Sequence, residues 1–410
     1  MLELHSKPSF KHGVMLSALL CIFMLSYAYQ TVMSITSEPL VREVLATPAE
    51  LGAIAGVFPF AFAFAQPVMG VALDRYGPKR TVSFAFIFAV VGSFITAAAT
   101  SIFALLIGQC LIGVGCAPAF LAVMTLISDR LETKRSRVFC GILCATGGGG
   151  MLLTGTPLAW LIEHYSWRMG FYALGGLSLL CWLGIVFFGG SDPQRANNRS
   201  VTVFEALKQL AAVLQQPYAI SIGCLAATSY GAFLSMRGLW LGPLFTYRHG
   251  FDLLQSGHVL VAMSIAAVVG AVVFGCIDYR ARLRRTIIIG SSSLYAGLFV
   301  VHAIGTPVVA EIAFMVFNGF LAGFITLQCA DVRAAYPPSM TGVAMSAFII
   351  MMFLGAAVMQ WLSGTVAMIA MDYGSDPVLA AMVSVSLALV VGTLAFWRLT
   401  VPERSNMQTR

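Results

Sequence analysis

The chain has 410 residues, of which 59% are apolar and only 10% charged. Soluble domains carry about a quarter charged residues, so composition excludes a soluble fold at the outset. The net charge of +7 is carried in short loops between apolar runs and on no continuous face. That placement argues against nucleic acid as a partner and for contact with a lipid bilayer.

Lys7 and Lys11 precede an apolar stretch over 13–35. It is too long for the core of a signal peptide and holds Tyr27, Tyr29 and Gln30, so it reads as a first membrane span retained in the mature protein. Further apolar runs follow at 51–73, 81–100, 102–127, 138–162 and 168–189. After a polar gap come 217–241, 254–277, 286–304, 308–330, 342–366 and 377–399. Each is long enough to cross a bilayer as a helix. The prediction is an all-α integral membrane protein with twelve transmembrane helices in two pseudo-symmetric six-helix bundles. The bundles cover 1–190 and 217–410, with a linker over 191–216. Within the linker, Thr202-Val-Phe-Glu205 reads as a capping box opening a short helix. Phe204, Leu207, Leu210, Ala211 and Leu214 would line the face that lies on the membrane surface.

Twenty of the 24 Lys and Arg fall on the side shared by both termini, the loop after span 2 and the central gap. Arg42, Arg168 and Arg248 fall on the other side, and Arg237 lies inside span 7. The asymmetry places both termini in the cytoplasm. Nine cysteines are scattered through apolar stretches without metal-site spacing, and they read as packing residues. No metal site is expected.

The loop Gly70-Val-Ala-Leu-Asp74-Arg75-Tyr76-Gly77-Pro78-Lys79-Arg80 must reverse the chain between spans 2 and 3. Gly77-Pro78 suits a tight turn within the seven residues from Asp74 to Arg80. A second basic loop, Asp278–Thr286, echoes it after span 8. Ser26-Tyr27 ahead of Pro39-Leu40 is echoed by Ser229-Tyr230 ahead of Pro243-Leu244. Parallel halves of this kind are a transporter architecture, with the solute site between them near the midplane.

These features resemble the major facilitator superfamily over essentially the whole chain. The sharpest match is Gly70-x-x-x-Asp74-Arg75-x-Gly77-x-Lys79-Arg80, which follows the family's signature between helices 2 and 3. The stretch from Gly155-Thr-Pro157 to Ser166-Trp167-Arg168 and Phe171 is similar to the family's passage from helix 5 to helix 6. Gly238-Leu239-Trp240-Leu241-Gly242-Pro243 resembles a motif in helix 7 of a bacterial subset. The resemblance implies an alternating-access secondary transporter of the bacterial inner membrane, with a small-molecule solute as partner. It implies no cofactor and no enzymatic activity, and a monomer is expected. It also implies that Asp74 addresses the start of helix 11 near Gly342 and latches the cytoplasmic side shut. Arg75 and Arg80 are placed to pair with Asp129 or Glu132. The alternative is a solvated turn that only orients the protein. Two departures lower the expectation of multidrug export. Gln109 stands where drug–proton antiporters commonly have Arg, and Gly155-Thr-Pro157-Leu-Ala-Trp160 replaces their Gly-Pro-x-x-Gly-Gly.

Arg237 is the most informative single residue. A guanidinium inside a span is costly unless it faces water or a partner. It shares a helical stripe with Tyr230 and Phe233. Either it binds an anion in the central cavity, where its planar fork suits carboxylate or phosphate, or span 7 ends early and Arg237 snorkels to the surface. Span 1 offers a matching stripe at Tyr27, Thr31 and Ser34, with Gln30 beside it, for solute contact or for bonding between helices. Gln109 and Asn318 are single amides of the same two-fold reading. No carboxylate falls near the middle of a span, so Glu38 is the candidate for any co-transported proton. The expected function is carriage of a small organic solute, an anion in preference to a cation. An efflux pump for apolar or cationic compounds and a non-transporting membrane sensor are the alternatives.

Overall fold

The computed structural model describes residues 10–128, 146–188, 202–276 and 281–398. Among these residues there are helices and turns but no strand. Ten helices are long and apolar enough to cross a membrane. One of them, α3 (Pro48–Ala98), runs 51 residues and holds spans 2 and 3. Span 5 is described in part, as α6 (146–153) and α7 (Thr156–His164). The arrangement is the twelve-helix membrane fold expected from the apolar runs.

Span 1 is α1 (Phe10–Thr31) continued by α2 (Met33–Val44). Span 4 is α4 (Ile102–Cys116) and α5 (Ala119–Ser128), and span 6 is α8 (Trp167–Leu183) ending in a π turn over Gly184–Phe188. Span 7 is α10 (Pro217–Ser235), a π turn over Met236–Trp240, and α11 (Leu241–His249). Spans 8 and 9 are α12 (Leu253–Cys276) and α13 (Ala281–Ile304). Span 10 is α14 (Val308–Ala322) and α15 (Ile325–Ala335); spans 11 and 12 are α16 (Pro338–Asp372) and α17 (Pro377–Arg398). The helix of the linker, α9 (Val203–Leu214), is capped as its sequence predicts, by reciprocal bonds between Thr202 and Glu205. Phe204 and Leu207 of α9 are exposed, whereas Val213 is the residue it buries.

The basic loop differs from its expected form. Helix runs through it except at Gly77, where φ is 81° and ψ 168°. A seven-residue turn is thus compressed into one residue. Glycine adopts this positive φ without a Cβ clash, and Pro78 needs no amide partner in the first turn that follows. Asp74 therefore ends one helix, and Lys79 and Arg80 begin the next. Several helices also outrun their apolar cores: span 1 reaches Val44, span 7 reaches His249 and span 11 covers Pro338–Asp372. Polar and charged residues continue these helices beyond the hydrocarbon. The stretch holding Asp129 and Glu132, and residues 277–280 of the second basic loop, lie outside the described residues.

Large apolar side chains such as Phe64, Phe84 and Phe103 stand exposed on the outer surface. A contiguous apolar exterior would drive association in water and is what a bilayer covers. Among the described residues, the two sets of spans meet along a seam at the midplane and toward the end opposite Gly77. There, Gly52 and Gly364 let spans 2 and 11 touch: a Cβ at Gly52 would stand 2.5 Å from Gln360 O, and one at Gly364 2.4 Å from Pro48 O. At the near end of that contact Phe62 stacks on Phe353 with centroids 4.0 Å apart. Small residues at such crossings allow the close backbone approach that membrane helices need. Charged groups fasten the same end. Arg168 bonds Glu43 and the Ala99 carbonyl, and the Trp167 indole also donates to Glu43. Thus Trp167 and Arg168 hold span 1 to the start of span 6.

Candidate functional site

Spans 1, 4, 7 and 10 are each interrupted near mid-length, at Val32, at Ala117-Pro118, over Met236–Trp240 and at Gly323-Phe324. Interruptions free backbone groups and tilt side chains inward, and in membrane carriers they accompany solute sites. All four spans contribute to one cavity of about 260 Å³ on the Gly77 side of the seam. Phe23 and Tyr27 come from span 1, Phe120 from span 4, Tyr230 and Phe233 from span 7, and Ala322, Gly323, Ile325, Thr326 and Cys329 from span 10. Gly147, Gly148 and Met151 close it from span 5, and Ala267 and Val268 from span 8.

Arg237 sits in the π turn one helical turn beyond the cavity-lining Phe233; it does not itself line the cavity and is fully buried. Its Nε donates to Ser264 Oγ at 2.8 Å; its Nη2 donates to Met151 O at 2.6 Å and Thr154 Oγ1 at 3.3 Å. Its side chain therefore ties span 7 to spans 8 and 5. Its Nη1 has no hydrogen-bond partner. Among the described residues no carboxylate pairs with it. Insertion scales put an arginine at a span centre about 2.5–3.5 kcal/mol uphill. Three neutral acceptors offset part of that cost and leave the charge uncompensated. The helix does not end early, and the guanidinium does not reach a surface.

The polar stripe of span 1 is spent mostly on neighbouring helices. Thr31 and Thr154 hydroxyls meet at 2.7 Å, linking span 1 to the arginine network. The Tyr230 hydroxyl donates to Gln30 Oε1 at 2.7 Å across the seam, and Ser34 Oγ accepts from Gly242 N at 3.2 Å. Of the residues singled out in sequence, Tyr27, Tyr230 and Phe233 line the cavity; Gln30, Thr31 and Arg237 support it from behind; Ser34 lies further along the seam. Gln109 and Asn318 are buried with both amide atoms unpartnered. Asn318 stands one helical turn from the cavity-lining Ala322, while Gln109 lies on α4, whose main neighbour is α3. Glu38 is remote from this cavity. It lies on α2, ion-paired with Arg42 at 2.5 Å, beside crevices at the end opposite Gly77.

Sequence reasoning missed the other members. Ser264, Thr154 and the Met151 carbonyl hold the guanidinium, yet a serine, a threonine and a backbone oxygen in apolar runs carry no distinctive signal. Phe23 and Phe120 are aromatic residues in runs rich in them. The π turn was not legible either, since nothing in Met236-Arg-Gly-Leu-Trp240 differs from helix-forming sequence. Among the described residues no group of His, Cys, Asp and Glu is placed to hold a metal ion.

A broken-helix bundle with a solute-sized cavity between its two halves is the architecture of a membrane carrier. The sequence model of the Major Facilitator Superfamily matches residues 18–360. The chain belongs to that family of transporters. Solved structures with the same fold include the nucleoside transporter NupG, at TM-score 0.74 and 16% identity, covering 95% of this chain and 100% of that one. A bacterial homolog of the human lysosomal transporter Spinster, in an inward-facing and occupied conformation, gives TM-score 0.74 at 15% identity, covering 96% and 97%. Among curated relatives, monocarboxylate transporter 4 of Gallus gallus is 24% identical over 230 residues, which is 56% of this chain and 48% of the relative. The probable sulfoacetate transporter SauU of Cupriavidus necator is 22% identical over 287 residues, 67% of this chain and 66% of the relative. The matched regions thus span about half and about two thirds of the lengths of these two relatives.

Proposed function

We propose that this protein is a secondary transporter that moves a small organic anion across a bacterial inner membrane by alternating access. The single observation that carries this reading is Arg237: a fully buried guanidinium bonded to the carbonyl of the cavity-lining Met151, with Nη1 unpartnered and no carboxylate paired with it among the described residues. An anion entering the cavity supplies the missing charge, and the low dielectric around it strengthens the attraction. The names of two relatives, a monocarboxylate and a sulfoacetate transporter, agree in the sign of the cargo. Among the described residues no acidic side chain lines the cavity, which disfavours export of cations.

The charge asymmetry puts the Gly77 end, both termini and α9 in the cytoplasm. With the seam at the opposite end, the cavity would receive solute from the cytoplasmic side in this conformation. Residues 1–190 and 217–410 then rock as two bundles about the site. Gly70, Asp74, Arg75, Gly77, Lys79 and Arg80 act as the cytoplasmic latch, Asp74 engaging the start of α16 when the cytoplasmic side closes. A carboxylate at a helix N-terminus contributes about 0.3–1 kcal/mol when exposed, enough to bias a gate without locking it.

The test is uptake of radiolabelled monocarboxylates and an alkyl sulfonate into proteoliposomes of the purified protein. Saturable uptake is expected, lost in Arg237→Ala and partly kept in Arg237→Lys. Undiminished uptake by the Ala variant removes Arg237 from the site, and uptake restricted to cationic dyes favours an efflux pump.

A further inference from the structure

We infer that the cargo is a monoanion with an apolar, ring-sized body, such as an arylcarboxylate, because one uncompensated guanidinium stands behind a cavity walled by aromatic rings. This inference rests on the anion-carrier reading and narrows it.

The number of charges follows from what Arg237 has left to give. Its Nε and Nη2 are occupied by Ser264, Met151 and Thr154, and only Nη1 remains. Among the described residues no Lys, Arg or His lines the cavity. A dicarboxylate or a phosphate dianion would carry a second charge into a low-dielectric site with nothing to meet it, and an unpaired buried charge is strongly unfavourable. One negative charge matches one positive charge.

The body follows from the walls. Phe23 and Tyr27 meet edge to face at 5.1 Å, Phe23 and Phe120 at 5.8 Å, and Tyr230 and Phe233 at 6.4 Å. Polar atoms near these rings are already engaged: the Tyr230 hydroxyl on Gln30, and the Thr326 hydroxyl on the Gly323 carbonyl. A hydroxyl-rich solute would lose its water here and find few partners in return. Ring faces and edges instead favour contact with another ring beyond area burial. Size agrees. An apolar cavity of about 150 Å³ holds one benzene, so about 260 Å³ accepts a ring with a short carboxylate arm. The orphaned amide of Asn318, one helical turn before the cavity-lining Ala322, has an oxygen free to accept from a hydroxyl substituent and an N–H free to donate to a keto substituent.

The experiment is calorimetric titration of the purified full-length protein with benzoate, phenylacetate, acetate, phthalate and benzamide. Benzoate or phenylacetate is expected to bind at least about tenfold more tightly than acetate, phthalate or benzamide. Phe233→Leu is expected to narrow the advantage of the aryl monoanions over acetate; an unchanged advantage counts against the aromatic wall. Acetate or phthalate binding as tightly as the aryl monoanions overturns this inference and leaves an anion carrier standing. Benzamide binding as tightly as benzoate overturns the anion reading itself.

Discussion

Span 7 carries two arginines with opposite surroundings. Arg248, at the end of α11, donates to Asp376 Oδ2 at 2.7 Å and to the carbonyls of His302 and Ala303. Its charge is met by a carboxylate, and it pins spans 7, 9 and 12 together. Arg237, in the π turn of the same span, is more deeply buried and has only neutral acceptors. Fastening a bundle calls for a paired charge, because a pair is stable whether or not cargo is present. Leaving one unpaired at the midplane makes sense where a ligand completes it. The difference separates a structural arginine from a recognition arginine within one helix.

The largest effects should come from breaking that contrast at either member. Arg237→Ala should abolish uptake while leaving the melting temperature unchanged or raised, since an uncompensated buried charge is removed. Thermal unfolding in detergent beside proteoliposome uptake checks both halves of the statement. Arg248→Ala should do the reverse, with anion affinity near normal and stability lower by roughly 1–2 kcal/mol. That figure is reduced from the buried-pair range because Asp376 keeps 35% of its side chain exposed. Equal loss of binding in the two variants would erase the distinction.

Acid should sharpen the contrast next. Burial pushes the Asp376 carboxyl up, but Arg248 and the amides of Val378 and Leu379 outweigh it, and the group is held below the ordinary carboxylate value. Its contribution is therefore fully present above about pH 4 and is lost as pH falls through the lower folded-state value. The difference in melting temperature between wild type and Asp376→Asn should shrink as the pH drops from about 5 to about 3; a constant difference would contradict the pairing.

Smaller effects are expected away from the charges. Asp74→Asn should slow turnover with substrate affinity near normal, because latch and site are separate; changed affinity with unchanged turnover contradicts this. Tyr230→Phe should cost about 0.5–1.5 kcal/mol of the seam by removing its bond to Gln30. The same variant should leave aryl-anion binding intact, which titration reads directly.

Much of this fold was legible in the sequence because a bilayer imposes length and composition on every span. The apolar runs, the Thr202–Glu205 capping box and the family signature at Gly70–Arg80 each reflect a local rule. Arg237 was visible for the same reason, as a charge where hydrocarbon demands none. What was not legible depended on contacts between distant segments. The bond from Tyr230 to Gln30 joins residues 200 apart, and the choice of Thr31 to face Thr154 follows from packing rather than pattern. Gly77 shows the limit within a local motif. Its presence marked a reversal, but only its backbone angle revealed that one residue makes the turn. Glu38 shows the converse: a carboxylate at the end of a polar stripe reads as part of a site, yet α2 carries it away from the central cavity, toward the end opposite Gly77 and a partner four residues away.

The central claim is that Arg237 binds the cargo's negative charge. It is tested most directly by titrating wild type and Arg237→Gln with a charged and neutral pair of equal shape, benzoate and benzamide. The account predicts at least about a tenfold preference for benzoate in wild type and loss of that preference in the variant, with benzamide binding unchanged between them. A preference for benzoate that survives in Arg237→Gln would contradict it.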